Sequence, residues 1–307
     1  MRIGILGMGG VGSFIGAKLT KNFENDDDTN IVFICRGETK DSILRNGLTL
    51  STENNTINSR PGLVSDNPKE IGVLDILIIA TKAFSLASAV KQYQDCFHKD
   101  TVIISLQNGV NAKEIIKENT HGTVPNILEG CIYIASNIEK PGLVNHVGGP
   151  GKVFFGNDDN PDFQWVEDLL RKGGIEASYT KNIKDILWKK YLFVSPVAAM
   201  TTALNITFGE LAEHPGLMNH LEKMMQEVQN VAHEFNVTLT DKDIEGAMGM
   251  LSNFPYRAKS SLQLDFENKN DRNEKCYLVD YIIDNGNKFG VPVDAYKKMN
   301  EKIGRSQ

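Results

Sequence analysis

The first half of the chain carries its apolar residues in short, dense runs, and the second half carries them in wide, helix-spaced stripes. Arg2-Ile3-Gly4-Ile5-Leu6, Asn30 to Cys35, Asp75 to Thr81 and Thr101 to Leu106 are such runs, rich in β-branched residues and without polar alternation. That is the pattern of parallel strands buried on both faces. The amphipathic stretch from Phe84 to Cys96 lies between the last two and predicts a βαβ connection. A helix over Asn111–Glu118 is followed by strand candidates at Asn126–Ala135 and Lys152–Gly156. The segment Gly148-Gly149-Pro150-Gly151 reads as a turn and not as a phosphate loop, because no helix follows it. From about Lys184 the texture becomes helical: Ile183, Ile186, Leu187, Tyr191 and Val194 recur at helical spacing. Pro196 is expected to kink or end that helix, with the apolar continuation through Met200 and Ala203 starting again beyond it. The expected architecture is α/β: a doubly wound domain over residues 1–180, then an all-helical domain over 181–307, the boundary falling near 178–184.

The candidate chemistry starts where the first run ends. Gly7-Met8-Gly9-Gly10-Val11-Gly12 has the G-x-G-x-x-G spacing between a strand and a helix start. Gly7 permits the turn, Gly9 lets the backbone approach a pyrophosphate, and Gly12 lets the helix lie close on the strand. The helix N-terminus then faces the phosphates with its free N–H groups and dipole. The second run ends at Arg36, about where a domain selective for NAD carries an acid for the ribose 2′-hydroxyl. A guanidinium suits a 2′-phosphate, so NADPH is expected over NADH; Glu38 opposes this, and the alternative is a solvated loop charge. Lys82 and Asn108 follow the third and fourth runs, where ligands gather in such sheets. Lys82 can reach cofactor phosphate or ribose, and Asn108 offers a donor and an acceptor; the alternatives are a surface lysine and an Asn-Gly turn. Lys190 falls inside the apolar stripe of the 184–194 helix, whereas Lys189 points about a third of a turn away. An inward lysine either snorkels out of a core edge or donates a proton in a cleft, and spacing does not separate the two. Asp271-Arg272-Asn273-Glu274 resembles a capping box opening a helix over Glu274–Phe289.

Composition narrows the class. Over 307 residues, 33 Lys+Arg against 39 Asp+Glu leave a net charge of −6, which gives no basic footprint for nucleic acid or for an anionic membrane. Cys35, Cys96, Cys131 and Cys276 form no C-x-x-C pair, so neither a disulfide framework nor a metal site is expected. A reducing compartment and a cytoplasmic location follow as expectations, with no signal peptide or membrane span foreseen. The partner expected is a small molecule; amphipathic helical domains often pair, which leaves a homodimer open.

These residues together resemble the ketopantoate reductase (2-dehydropantoate 2-reductase) family. The resemblance spans nearly the whole chain. It rests on Gly7 to Gly12, Cys35-Arg36-Gly37-Glu38, Thr81-Lys82-Ala83-Phe84, Leu106-Gln107-Asn108-Gly109-Val110 and the block from Pro141-Gly142 to Gly156. It continues through Leu187-Trp188-Lys189-Lys190, Ser260-Ser261-Leu262-Gln263-Leu264-Asp265 and Gly290-Val291-Pro292-Val293. The resemblance implies an NADPH-dependent reductase of a 2-oxo acid, with a Rossmann-type domain, a helical domain and an active site in the cleft between them. It implies Lys190 as the catalytic lysine, Asn108 as a substrate and nicotinamide contact, Ser261 (or its neighbour Ser260) as the ligand of the substrate carboxylate, and Glu274 as the contact to the substrate hydroxyl. The family pattern has asparagines four and eight residues after the lysine, where this chain has Val194 and Ala198. Ketopantoate is the leading substrate; a different, more apolar 2-oxo acid is the alternative, and a non-catalytic NADPH-binding regulator a further one.

Overall fold

The computed structural model describes residues 1–122, 125–157 and 162–305. The chain divides into two compact units, one comprising Met1–Gln107 and Asn111–Ile183, the other Asn108–Val110 and Lys184–Gln307.

The first unit runs β1 (Arg2–Leu6), α1 (Gly10–Asn22), β2 (Asn30–Ile34), α2 (Gly37–Asn46), β3 (Leu48–Ser51), β4 (Thr56–Ser59), β5 (Leu63–Ser65), α3 (Pro68–Ile71) and β6 (Ile76–Ile79). It continues with α4 (Leu86–Tyr93), β7 (Val102–Ser105), α5 (Ala112–Asn119), β8 (Asn126–Lys140), β9 (Leu143–Gly156), α6 (Gln164–Lys172) and β10 (Ala177–Thr180). The expected helix 84–96 is thus shorter, with a 3₁₀ turn on either side of α4. Six strands lie parallel in the order β5-β2-β1-β6-β7-β8. The chain builds outward from β1 through β2 to β5, then returns to the other side of β1, so the order reverses between β1 and β6. This is the doubly wound arrangement that the apolar runs predict.

Side chains alternate between two cores, which is why the runs contain no polar positions. Ile3, Ile5, Ile31, Phe33, Ile76 and Ile78 pack with Phe14 and Leu19 of α1 and Val166 of α6. Leu6, Val32, Ile34, Leu77 and Ile79 pack with Leu86 and Val90 of α4 and Ile116 of α5 on the other face. Each side chain fully buried in this way contributes about 1.5–3 kcal/mol.

The sheet extends past β8 through an antiparallel β8–β9 hairpin, with β3 and β4 beyond it. The turn expected at Gly148-Gly149-Pro150-Gly151 lies instead inside β9. The chain reverses at Pro141-Gly142, where Gly142 takes φ +81°. Register jumps between Tyr133, opposite Lys152, and Ala135, opposite Gly148. Gly149 and Gly151, at φ +74° and +68°, supply left-handed backbone for this bulge, not for a chain reversal. A Cβ at Gly151 would lie 2.4 Å from the Phe14 ring, so the bulge also lets β9 press on α1.

The second unit is helical: α7 (Ile183–Leu204), α8 (Phe208–Glu213), α9 (Pro215–Glu234), α10 (Asp241–Gly249), α11 (Ser261–Glu267), a π-helical turn over Cys276–Asp280, α12 (Tyr281–Phe289) and α13 (Asp294–Arg305). Of the two outcomes expected at Pro196, a kink or an end, the end does not occur: α7 runs on to Leu204. A mid-helix proline costs about 3 kcal/mol. Here Leu192, Val197, Ala199 and Met200 around it are all buried in one core, and that packing offsets the cost. The helix expected over Glu274–Phe289 begins as a π turn. Its N-cap is Lys275, without a side-chain cap; just ahead of it Asn273 Oδ1 accepts from the Lys275 N–H at 3.1 Å, and the capping box expected from Asp271 is not formed. No helix among the described residues is long and apolar enough to cross a membrane.

Candidate active site

The glycine loop joins β1 to α1 beside the reversal of strand order. Gly7 sits at φ +94°, and a Cβ there would come within 2.8 Å of the Thr81 backbone nitrogen, so the loop passes tightly against the end of β6. Gly12 lies so close beneath the turn that its Cβ would meet the Gly7 carbonyl oxygen at 2.0 Å, and a Cβ on Gly10 would meet the Ser136 carbonyl at 2.4 Å. Gly9 differs: a Cβ there would meet nothing within 4 Å. It is the N-cap of α1 yet offers no side-chain cap, and the first turn of the helix carries no acid. The first N–H groups of α1 are therefore left without a side-chain cap, next to the open space at Gly9. A dinucleotide pyrophosphate fits this cradle in shape and in charge. Within the motif, the Met8 side chain is buried in the sheet core and Val11 packs against that core.

Arg36 caps α2 at the end of β2 and is exposed, with no hydrogen bond or ion pair to the described residues. Its neighbour Cys35 is held neutral, because burial and then the charge of Asp66 push its thiol up to about 12. Glu38 is also exposed, and Lys40 is occupied by Asp66 at 2.5 Å. Lys82 is exposed and caps the 3₁₀ turn after β6. Three buried oxygens at the carboxyl ends of β6 and β7 have no partner among the described residues: Thr81 Oγ1, Ser105 Oγ and Gln107 Oε1. Sequence reading did not single them out. An orphaned polar atom is defined by its surroundings; the sequence shows Thr81 only as the end of an apolar run, Gln107 only as the position after one, and both only as members of family-like blocks.

In the second unit, Lys190 on α7 donates from Nζ to Asn108 Oδ1 at 3.0 Å. Asn108 belongs to this unit although it follows β7 by only three residues. Lys189, exposed, pairs with Asp243 at 2.9 Å. The helical stripe thus separates the two lysines as their spacing suggests. Val194, one turn beyond Lys190, is half-buried, whereas Ala198 is 2% exposed and lies within the core. Glu274 is 3% exposed, and its backbone carbonyl accepts from the N–H groups of Tyr277 and Leu278, each at 3.0 Å. Ser260 is buried and engaged: its oxygen caps α11 by accepting from Gln263 N–H at 3.1 Å and meets Thr201 Oγ1 at 2.9 Å. Ser261 is exposed.

Comparison with known proteins agrees with this architecture. The model of the ketopantoate reductase PanE/ApbA family matches residues 3–160, and that of its C-terminal region matches residues 182–303. The uncharacterized oxidoreductase YkpB of Bacillus subtilis is 24% identical over 299 residues, covering 95% of this chain and 94% of its own length. A 2-dehydropantoate 2-reductase of Mesorhizobium japonicum is 24% identical over 274 residues, covering 80% and 81%. Among solved structures, a PanE/ApbA family ketopantoate reductase from Ralstonia eutropha superposes with a TM-score of 0.89 at 22% identity, covering 100% of this chain and 98% of that one. A D-mandelate dehydrogenase solved with NADH and anilino(oxo)acetate superposes at 0.88, also with 22% identity and the same coverage. With both halves of the family pattern in order and the doubly wound and helical units in place, the chain belongs to the ketopantoate reductase PanE/ApbA family and is an oxidoreductase acting on CH–OH groups.

Proposed function

We propose that the protein reduces a 2-oxo acid to the corresponding 2-hydroxy acid with NADPH, and that 2-dehydropantoate (ketopantoate) is the leading substrate. The observation that carries the reading is the Lys190–Asn108 hydrogen bond, which holds an ammonium against an amide drawn from the end of β7. Hydride to the keto carbon is the chemistry the nicotinamide supplies when bound. The residues of the chain do the rest. Gly7, Gly9 and Gly12 shape the pyrophosphate cradle, with backbone at Met8, Gly10 and Val11 completing it, while Arg36 meets the 2′-phosphate and Lys82 the phosphate or ribose. Lys190 holds the proton that the developing alkoxide takes up, and by donating to Asn108 its ammonium is aimed and not left to rotate. Asn108 keeps its amide N–H groups for nicotinamide or substrate, and the buried Glu274 fixes the hydroxyl side of the ligand. Since Ser260 is engaged in capping, Ser261 is assigned the substrate carboxylate.

Val194, the half-buried one of the pair, favours a second reading, in which the preferred oxo acid is more apolar than ketopantoate; Ala198, taken with it from the sequence, is enclosed by core. Two amides of the family pattern are replaced by groups that cannot hydrogen-bond, and selectivity for a hydroxylated substrate depends on such partners. A neighbour in fold, the D-mandelate dehydrogenase, is described with NADH and anilino(oxo)acetate, whose ring-bearing group is in line with that option. The test is a panel of 2-oxo acids, ketopantoate with branched aliphatic and aryl members, assayed by NADPH and NADH consumption. Reduction of ketopantoate with the highest kcat/KM supports the first reading, and preference for an apolar member supports the second. Absence of turnover across the panel would overturn both.

A further inference from the structure

Between the chain segments that carry Lys190 and Glu274 runs a buried chain of hydroxyls that the reduction itself does not use. Tyr191 follows Lys190 directly on α7, and its hydroxyl donates to the Tyr277 carbonyl at 2.8 Å. Ser195, one turn on, donates from Oγ to the Leu278 carbonyl at 2.5 Å. A carbonyl cannot donate, so the single Ser195 proton is spent there. The 2.6 Å contact between Ser195 Oγ and the Tyr296 hydroxyl must then run from Tyr296 of α13 to the serine. Burial drives the phenols of Tyr191 and Tyr296 well above their ordinary range, so both stay protonated donors. The carbonyls held by Tyr191 and Ser195 belong to the π-helical turn over Cys276–Asp280. The N–H groups of those same two residues, Tyr277 and Leu278, bond to the Glu274 carbonyl. Glu274 is therefore fixed to two residues which are themselves fixed to the turn of α7 that carries Lys190. Single π turns are frequent at functional sites, and here two carbonyls of one are held by side chains of α7.

We infer that Tyr191, Ser195 and Tyr296 are positioning residues that set Glu274 relative to Lys190 through the π turn. The inference rests on the reductase reading above. A purely structural role would make their loss lower stability and leave the chemistry per folded molecule alone. A positioning role makes their effect depend on the Glu274 carboxylate, which a double-mutant cycle can detect.

The experiment measures kcat and KM on the best substrate of the panel for Ser195→Ala, Glu274→Gln and the double variant, with melting temperatures alongside. Misplacing a group by about 1 Å can cost as much as a hundredfold. Ser195→Ala is expected to lower kcat by roughly ten- to a hundredfold, with KM for NADPH unchanged. In the Glu274→Gln background the same change should cost less than about twofold, since the carboxylate it positions is already gone. Tyr191→Phe, which removes one oxygen and keeps the ring, should repeat the pattern and serves where Ser195→Ala does not fold. Equal losses in both backgrounds, or a melting shift without a kcat change, overturn the inference and leave the reductase reading standing. Absence of turnover by the unsubstituted protein overturns the reductase reading and this inference with it.

Discussion

Lys189 and Lys190 adjoin in sequence, yet one is an exposed partner of Asp243 and the other is half-buried against Asn108. Acid catalysis contributes on the order of 10²–10⁴. Lys190→Ala should lower turnover by about that factor while NADPH affinity, followed by fluorescence titration, stays near normal. Lys189→Ala removes an ion pair exposed on its lysine side and should cost about 1 kcal/mol of stability with little change in rate. Matching effects of the two substitutions would place the proton donor elsewhere. The proposed preference for NADPH rests on Arg36, since its neighbour Lys40 is occupied by Asp66 and Cys35 is neutral. Charge-assisted hydrogen bonds contribute about 1.5–3 kcal/mol. Arg36→Ala should therefore weaken NADPH roughly ten- to a hundredfold and leave NADH almost unchanged. Equal affinity of the intact protein for both dinucleotides would remove the 2′-phosphate role.

At the level of elements, the glycine loop separates folding from binding at neighbouring positions. Gly9→Ala adds a methyl to open space and should leave the melting temperature unchanged, yet the methyl occupies the pyrophosphate cradle, and dinucleotide affinity should fall about tenfold or more. Gly12→Ala drives a methyl into the Gly7 carbonyl and should cost about 1–3 kcal/mol of stability in a denaturant titration. If Gly9→Ala binds NADPH like the unsubstituted protein, the cradle lies elsewhere. Along α7 the pair that replaces the family asparagines divides in the same way. Val194 is half-buried one turn from Lys190, so Val194→Asn should raise kcat/KM for ketopantoate over an apolar branched oxo acid by about tenfold. Ala198 is enclosed by core, and Ala198→Asn should instead lower stability by about 1–3 kcal/mol through overpacking. An unchanged substrate ratio in Val194→Asn would show that other residues have taken over the missing amides.

For the molecule as a whole, what was legible in the sequence followed from periodicity. The parallel strands were readable because both their faces are buried, and Lys190 because it interrupts an apolar stripe. The β3–β4 hairpin, the bulge in β9 and the persistence of α7 through Pro196 were not readable, since each is decided by packing from elsewhere in the chain. The same holds for Asn108, a loop residue whose grouping with the helical unit no local pattern announces. The glycine cradle lies wholly within the first unit, and the two tryptophans fall one in each unit, Trp165 on α6 and Trp188 on α7. A ligand that binds only the folded state stabilises it by RT ln(1 + [L]/Kd), about 2.7 kcal/mol at a hundredfold excess over Kd. NADPH without oxo acid should therefore raise the melting midpoint reported by Trp165, obtained by subtracting the fluorescence of Trp165→Phe, an exposed and benign change, from that of the intact protein. A midpoint for Trp165 that does not move at saturating NADPH, or a shift confined to Trp188, would mean that the dinucleotide does not bind at the β1–α1 loop.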